Sequence, residues 1–171
     1  MDTASLDDLF GRLGTPRRMR SLAGYNLFAP QLAAELDPVC ARSAQRLGAP
    51  VSLISIILDS AQYIIGSTGL EGWINQVQGM PAEWSVCTHT VLAGAPYCVA
   101  DATTDVRHER NPLIGMTGLR SYAGVPLQGD DGEYLGAHCV LDTAARTFGE
   151  NDLEVLRDGA AEAMRVLRER S

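Results

Sequence analysis

The sequence predicts an α+β sandwich, in which helices combine with a central antiparallel sheet. Two pairs of apolar segments are each joined by a short polar turn, a pattern typical of β-hairpins and therefore of antiparallel strands. Long helical patterns lie towards both chain ends, and short helices and loops separate the hairpins. This order does not fit a doubly wound parallel sheet, in which strands and helices alternate along the chain.

The first third of the chain contains two predicted helices and the first hairpin. Residues 18–24 predict a short helix, and residues 31–47 predict a longer one because their apolar side chains recur every three to four positions. The glycine and the proline that follow this segment end the helix. The almost continuously apolar segment 51–58 predicts a buried strand, and residues 62–67 predict its returning partner.

The middle third predicts a long loop, two short helices and one strand. Residues 69–81 contain three glycines and show no periodicity, as expected for a functional loop over one face of the sheet. Ser85 can cap a helix that runs to Leu92. Residues 97–100 predict a strand, and Asn111, which a proline follows, predicts the start of a brief helix.

The last third predicts the second hairpin and the most regular helix. Residues 121–127 and 133–141 flank a Gly-Asp-Asp-Gly turn, and Pro126 should lie at an edge or a bulge because it has no N–H group to donate. Residues 150–170 predict a helix with acids in its first turn and arginines in its last. Its apolar positions are spaced as in a coiled coil: Leu153, Leu156, Ala160, Ala163 and Leu167. This stripe fits either packing on the domain's own sheet or a dimer interface.

Length and charge narrow the class of protein. A chain of 171 residues holds one domain with a substantial core. Its net charge of -7 would repel a polyphosphate backbone, so nucleic acid is not expected as a partner. The short basic cluster at residues 17–20 is expected to be a solvated surface.

The sequence predicts a cytoplasmic protein without a membrane span. No run of about 18 apolar residues exists, and the N-terminal segment includes acids and lacks the apolar core of a signal peptide. The cysteines are too scattered for a disulfide scaffold, so we expect mostly buried thiols at all four: Cys40, Cys87, Cys98 and Cys139.

Four stretches form an ordered set of motifs: Gly48-Ala49-Pro50; Glu83-Trp84-Ser85-Val86-Cys87-Thr88-His89; Val99-Ala100-Asp101-Ala102 through Asn111-Pro112-Leu113; and Tyr122 to Leu127 followed by Gly136 to Asp142. Their order and spacing resemble the GAF domain family, in particular the GAF domains found beside histidine kinase or diguanylate cyclase modules in bacterial signalling proteins. The resemblance implies one GAF-like domain over residues 1–171, with a helical extension over about 1–30, a core over about 31–148 and a C-terminal helix over about 149–170. It also implies a GAF-like sandwich, with the terminal helices on one face of the sheet and a pocket under loops and short helices on the other.

The same resemblance implies a stand-alone regulatory or sensor domain in signal transduction. Such a domain binds a small molecule or a partner protein, and the family commonly forms homodimers through its terminal helices. The 171 residues leave no room for an output module, so we expect either a partner signalling protein to carry the output or the chain to be a fragment of a longer protein. Neither a ligand nor a cofactor can be named, because GAF pockets recognise ligands through local side chains. A ligand-free structural dimerisation module is an alternative.

Seven residues are candidate ligand contacts: Trp84, Cys87, Asp101, Asp105, Asn111, Tyr122 and His138. Trp84 stands where the long loop enters the middle helix and could stack on a planar ligand. The resemblance puts the polar segment 101–111 at the pocket mouth, although Asp and Asn also cap turns and helices. His138 and Cys139 are adjacent on a strand and face opposite sides of the sheet, so only one of them can line the pocket.

Neither a catalytic residue nor a metal site is predicted. Cys87 and His89 are two positions apart on a helix and point in different directions, which disfavours a shared metal ion or a thiolate–imidazole pair. A bilin is rejected, because relatives that carry one attach it to a Cys followed directly by His, and the sequence has no Cys-His dipeptide. A haem would require a further haem-specific motif.

The enzymatic alternative is a thiol-dependent reductase. Some GAF proteins reduce free methionine-R-sulfoxide through cysteines, and Cys98 and Cys139, on predicted strands, could approach Cys87. Cysteines at the positions of Cys87 and Cys139 are also ordinary core residues in signalling GAF domains. The sequence therefore favours a sensor and leaves the reductase open as a hypothesis.

Overall fold

The structure, a computed structural model, describes residues 3–70 and 79–170. The helices are α1 (Thr3–Leu13), α2 (Pro16–Ala23), α3 (Leu32–Leu47), α4 (Val86–Ala93), α5 (Pro112–Thr117) and α6 (Glu150–Glu169). The strands are β1 (Val51–Ile57), β2 (Ala61–Thr68), β3 (Gly79–Pro81), β4 (Tyr97–Val99), β5 (Ser121–Gln128) and β6 (Tyr134–Asp142). Single turns of 3₁₀ helix cover Ala82–Trp84 and Val106–His108.

The six strands form one antiparallel sheet in the order β3-β2-β1-β6-β5-β4. Both predicted hairpins are present, β1 with β2 and β5 with β6, and the pairing of β1 with β6 joins them at the centre of the sheet. The predicted α+β fold is therefore confirmed. Pro126 lies in β5 beyond Gly124, the last residue that pairs with β4, so its missing N–H group falls at an edge as predicted.

α1 lies within the helical extension predicted over about residues 1–30, ahead of the helix predicted at residues 18–24. β3 was not predicted, and it pairs with the first residues of β2, Ala61 to Tyr63. β3 shortens the predicted loop at residues 69–81, of which residues 71–78 lie outside the described part of the chain. In the described ranges no helix is both long and apolar enough to cross a membrane.

α3 and α6 pack together on one face of the sheet and form the larger core with it. The apolar stripe of α6 belongs to this core, since Leu156, Ala163 and Leu167 have no solvent-exposed surface. The stripe therefore packs within the domain, as one of its two interpretations predicted. A homodimer stays a prediction, and its interface needs other side chains.

A buried arginine joins the N-terminal helices to the sheet. Arg18 of α2 is 4% exposed, and its guanidinium group donates hydrogen bonds to the carbonyl oxygens of Leu13 (2.9 Å), Ile57, Tyr134 (3.0 Å) and Leu135 (3.2 Å). Burial lowers the pKa of Arg18 to about 10, and the group stays charged at neutral pH. One side chain thus donates hydrogen bonds to carbonyl oxygens at the end of α1, at the end of β1 and at the start of β6.

α6 packs closely against the sheet at Gly159. A Cβ atom there would lie 2.5 Å from Nε2 of His138 and 3.2 Å from Oγ of Ser43. We expect Gly159→Ala to reduce the free energy of unfolding by about 1–3 kcal/mol through overpacking, although alanine normally stabilises a helix by about 0.5–1 kcal/mol. Urea denaturation measures the change. Gly115→Ala in α5 is the matched control, because no atom lies within 4 Å of its added Cβ; equal stability of the two variants would contradict the prediction.

Candidate functional site

A cavity of about 360 Å³ lies between the second face of the sheet and the helices α4 and α5. Its apolar wall consists of Pro50, Val51, Leu53, Ile64, Leu70, Met80, Val86, Leu113, Leu119 and Leu141. Its more polar positions are Gln62, Gly69, Ser85, Cys87, Thr117, Tyr122, Asp142 and Thr143. This is the side of the sheet on which the sequence predicted a pocket.

Local sequence explains how the cavity wall is held. Side chains alternate between the faces of β1, so Leu53 points to the cavity while Ile54 joins the core under α3 and α6. Ser85 caps α4: its Oγ accepts a hydrogen bond from the backbone N–H of Cys87 (3.1 Å) and donates one to Oε1 of Gln62. The cap therefore fixes both Cys87 and Gln62 at the cavity.

Gln62 is a polar group available to a ligand. The side chain is 2% exposed and lines the cavity, and its oxygen is occupied by Ser85. In the described part of the chain no atom accepts a hydrogen bond from its amide nitrogen. A ligand with a carbonyl or hydroxyl oxygen could accept this bond.

Cys87 and Tyr122 form the polar floor of the cavity. The Tyr122 hydroxyl donates to Sγ of Cys87 (3.3 Å) and shares a hydrogen bond with Oγ1 of Thr90 (2.8 Å), while Sγ of Cys139 lies 3.8 Å from that of Cys87. Gly124 makes room for the phenol, because a Cβ atom at that position would lie 2.2 Å from the Tyr122 hydroxyl oxygen. Hydrogen bonds from Cys139 and Tyr122 lower the pKa of Cys87 although its burial opposes this, and burial raises the pKa of Cys139 and of Tyr122.

The cavity is almost free of permanent charge. Asp142 contributes the one carboxylate among the described lining residues, and it pairs with Arg146 at 3.5 Å. No arginine or histidine belongs to the described lining. Such a surface suits a neutral ligand better than an anion.

Of the seven predicted ligand contacts, Cys87 and Tyr122 line the cavity. The imidazole of His138, also predicted as a ligand contact, points to the other face of the sheet, away from this cavity. There it hydrogen-bonds Oγ of Ser43 (2.8 Å) and the carbonyl oxygen of Leu53 (2.9 Å). Its neighbour Cys139 faces the cavity side instead.

The four remaining residues do not belong to the described lining of this cavity. Asp101 binds Thr103 and Arg120, and Asp105 caps the 3₁₀ turn at Val106. Asn111 caps α5, and its amide donates to the carbonyl oxygen of Trp84 (2.9 Å). The three polar residues thus make the turn and cap hydrogen bonds expected of Asp and Asn, and Trp84 is a partly buried residue of the adjoining 3₁₀ turn.

Sequence reasoning missed Gln62 and Ser85 as cavity residues. Gln62 carried a signal, because it is a polar residue at an inward position of a strand that also places Ile64 inward. The proposed three-cysteine group is reduced to two, since Cys98 packs against the core under α3 and α6, on the far side of the sheet from Cys87 and Cys139.

The buried histidine predicts how stability depends on pH. Burial lowers the pKa of His138 to about 4, against about 6.5 in an unfolded chain, so between these values the unfolded chain binds more protons. The stability that His138 contributes is therefore complete above about pH 6.5 and is lost as the pH falls towards 4, with a slope of about 1.4 kcal/mol per pH unit. Burial also lowers the pKa of His89, to about 4, and that of His108, so the measured slope should exceed this value.

Urea denaturation between about pH 4.5 and 6 measures that slope. In His138→Gln the slope of the unfolding free energy against pH should be smaller by about 1.4 kcal/mol per pH unit, the contribution of one proton. This difference does not depend on the absolute stability of the variant. An unchanged slope would show that His138 does not titrate as described.

An antiparallel sheet with the two long helices on one face and a cavity beneath short helices on the other is the arrangement of a GAF-type α+β domain. The model of the GAF domain family matches residues 31–167, and the chain belongs to this family. A cyclic di-GMP phosphodiesterase of Pseudomonas aeruginosa is 33% identical over 122 residues, which cover 70% of this chain and 20% of that protein. The chain thus spans about a fifth of this relative's length.

Solved structures agree on the fold. The GAF domain of an Acinetobacter phosphoenolpyruvate-protein phosphotransferase has a TM-score of 0.64 and 16% identity, over 99% of this chain and 96% of that one. A free methionine-R-sulfoxide reductase of Neisseria meningitidis, in complex with its substrate, also has a TM-score of 0.64 and 16% identity, over 98% and 92% of the two chains. The fold is therefore shared by a GAF domain of a phosphotransferase and by a reductase, and the side chains of the site must carry any functional assignment.

Proposed function

We propose that this GAF domain is a regulatory sensor that binds a small, uncharged and mostly apolar molecule in the cavity beneath α4 and α5. The observation that carries the proposal is an apolar cavity of about 360 Å³ with a few hydrogen-bonding groups on its floor. Apolar walls supply affinity, and a small number of fixed polar groups orient the ligand.

The polar groups define the ligand further. The amide nitrogen of Gln62 offers a donor, and the Cys87–Tyr122 pair offers a polarisable surface beside it. A phosphate group would meet no cation in the described lining, and the sequence of residues 71–78 contains neither lysine nor arginine. Cyclic nucleotides, including the substrate named for the Pseudomonas relative, are therefore disfavoured as ligands of this cavity.

In this proposal ligand occupancy reaches a partner signalling protein through the helix layer, and the domain acts as a homodimer. Light scattering coupled to size-exclusion chromatography tests the dimer. A strict monomer at high concentration would remove that part of the proposal and leave ligand binding to be tested separately.

A thermal-shift screen of neutral and anionic metabolites tests ligand binding, because a ligand that binds only the folded state raises the unfolding temperature. We expect stabilisation by neutral compounds and its loss in Leu119→Phe, which fills the cavity. Met116→Phe is the matched control, since Met116 is 53% exposed on the neighbouring helix α5. Stabilisation confined to anions, or unaffected by Leu119→Phe, would refute the assignment.

A reductase for free methionine-R-sulfoxide is the second candidate function. The contact between Cys87 and Cys139 beside the cavity favours it, and the Neisseria reductase shares the fold. An assay with this substrate and a thiol reductant decides the question. Turnover that disappears in Cys87→Ser would support the enzyme, whereas absent turnover would exclude it.

A further inference from the structure

Two thiols meet in the interior of the domain beside the cavity. Cys87, on the first turn of α4, and Cys139, on β6, are both buried, and their Sγ atoms lie 3.8 Å apart. A disulfide requires an S–S distance of about 2.0 Å, so the two sulfurs need to approach by about 2 Å. The other two cysteines, Cys40 and Cys98, belong to the core on the opposite face of the sheet.

We propose that Cys87 and Cys139 are a redox site, at which a peroxide converts the two thiols reversibly into a disulfide that joins α4 to β6. The proposal does not depend on the identity of a ligand, or on reductase activity, because the oxidant is a peroxide that enters through the cavity.

The positions of the two sulfurs assign their roles. Cys87 lines the cavity and Cys139 does not, so an incoming peroxide meets Cys87 first. The hydrogen bond from the Tyr122 hydroxyl, at 3.3 Å, favours the thiolate form of Cys87, which is the nucleophile in thiol oxidation. Cys139, which burial keeps protonated, lies behind it as the resolving thiol.

The reaction balances in two steps. The Cys87 thiolate attacks one oxygen of hydrogen peroxide, the O–O bond breaks, and hydroxide leaves and takes up a proton to give water. The resulting Cys87 sulfenic acid then reacts with Cys139: an S–S bond forms, the S–O bond breaks, and the hydroxyl group leaves as a second water with the proton of Cys139. The two thiols are oxidised by two electrons and the peroxide is reduced by two.

A buried hydroxyl group supports the first step. Ser55 on β1 is fully buried, and its Oγ has no hydrogen-bond partner of good geometry among the described residues. Ser55 also contributes to the lowered pKa of Cys87. A sulfenic acid on Cys87 would offer this hydroxyl group an acceptor that it otherwise lacks.

Peptide mapping by mass spectrometry under non-reducing conditions tests the proposal on the full wild-type chain after mild treatment with hydrogen peroxide. We expect one disulfide between the peptides of Cys87 and Cys139, loss of two of the four titratable thiols, and recovery of both with dithiothreitol. A disulfide that includes Cys98, or oxidation of Cys98 while Cys87 and Cys139 stay reduced, would overturn it.

Variants separate the two steps. In Cys139→Ser the sulfenic acid on Cys87 should persist and be trapped by dimedone, because no resolving thiol remains. Cys98→Ser is the matched control and should form the same disulfide as the wild type. If dimedone trapped a sulfenic acid on Cys139 in Cys87→Ser as fast as on Cys87 in Cys139→Ser, the assigned roles would be contradicted. The peptide map of the wild-type chain decides whether the disulfide forms, even if a variant fails to fold.

Discussion

Replacing Arg18 with alanine is expected to lower the free energy of unfolding by about 3–5 kcal/mol, a large part of the stability of a domain of this size. The guanidinium group hydrogen-bonds carbonyl oxygens at Leu13, Ile57, Tyr134 and Leu135, where water has little access. Alanine would leave these acceptors without a donor and open a cavity between the N-terminal helices and the sheet. The unpaired carbonyl groups and the cavity would both destabilise the Arg18→Ala variant.

Urea denaturation followed by far-ultraviolet circular dichroism measures the loss for Arg18→Ala. Arg20→Ala, on an exposed position of the same helix, should change stability by no more than about 0.5 kcal/mol. Arg18→Lys should fall between them, because lysine keeps the charge and loses the planar fork of donors. If Arg18→Ala were as stable as Arg20→Ala, the guanidinium group would not connect the helices to the sheet.

Gly136→Ala is expected to prevent folding or to cost more than about 4 kcal/mol. Gly136 lies in β6 opposite Ile56 of β1, and a Cβ atom there would lie 1.8 Å from the carbonyl oxygen of Ser55 and 2.8 Å from its carbonyl carbon. Both atoms belong to the backbone of the central strand pair, so the contact can be relieved only by separating β1 from β6. The pairing that joins the two hairpins would then be lost at this point.

Expression of the folded protein, its circular dichroism spectrum and its urea midpoint measure this effect. Gly11→Ala in α1 is the control, because no atom lies within 4 Å of its added Cβ and the residue is exposed. That variant should fold and gain up to about 1 kcal/mol from the helix propensity of alanine. A Gly136→Ala protein with the stability of the wild type would contradict the strand register described above.

The elements that the sequence predicted are those whose signals are local. Ser85 and Asn111 cap their helices as expected because a cap needs only the residues that follow it. The hairpins follow from apolar segments and the turns between them. β3 escaped prediction because three residues carry no periodicity, and they form a strand only where the edge of β2 offers them hydrogen-bond partners.

The site was predictable only in part, because a side chain's face is decided by tertiary packing. Alternation along β6 showed that His138 and Cys139 point in opposite directions and could not show which of them faces the cavity. Asp101 and Asp105 looked like ligand contacts, but their carboxylates are used by neighbouring side chains and a backbone N–H. Polar residues in turns are thus weak evidence for a ligand unless a cavity lies within reach.

One peptide bond of β6 joins two residues whose side chains lie on opposite faces of the sheet. Cys139 contacts Cys87 below the cavity, while the adjacent His138 contacts Ser43 of α3 and packs closely against Gly159 of α6. Successive residues along a strand are only about 3.3 Å apart. We therefore expect a displacement of the Cys139 backbone to move His138 against Ser43 and Gly159, so that the NMR signals of its imidazole should respond to events on the opposite side of the sheet.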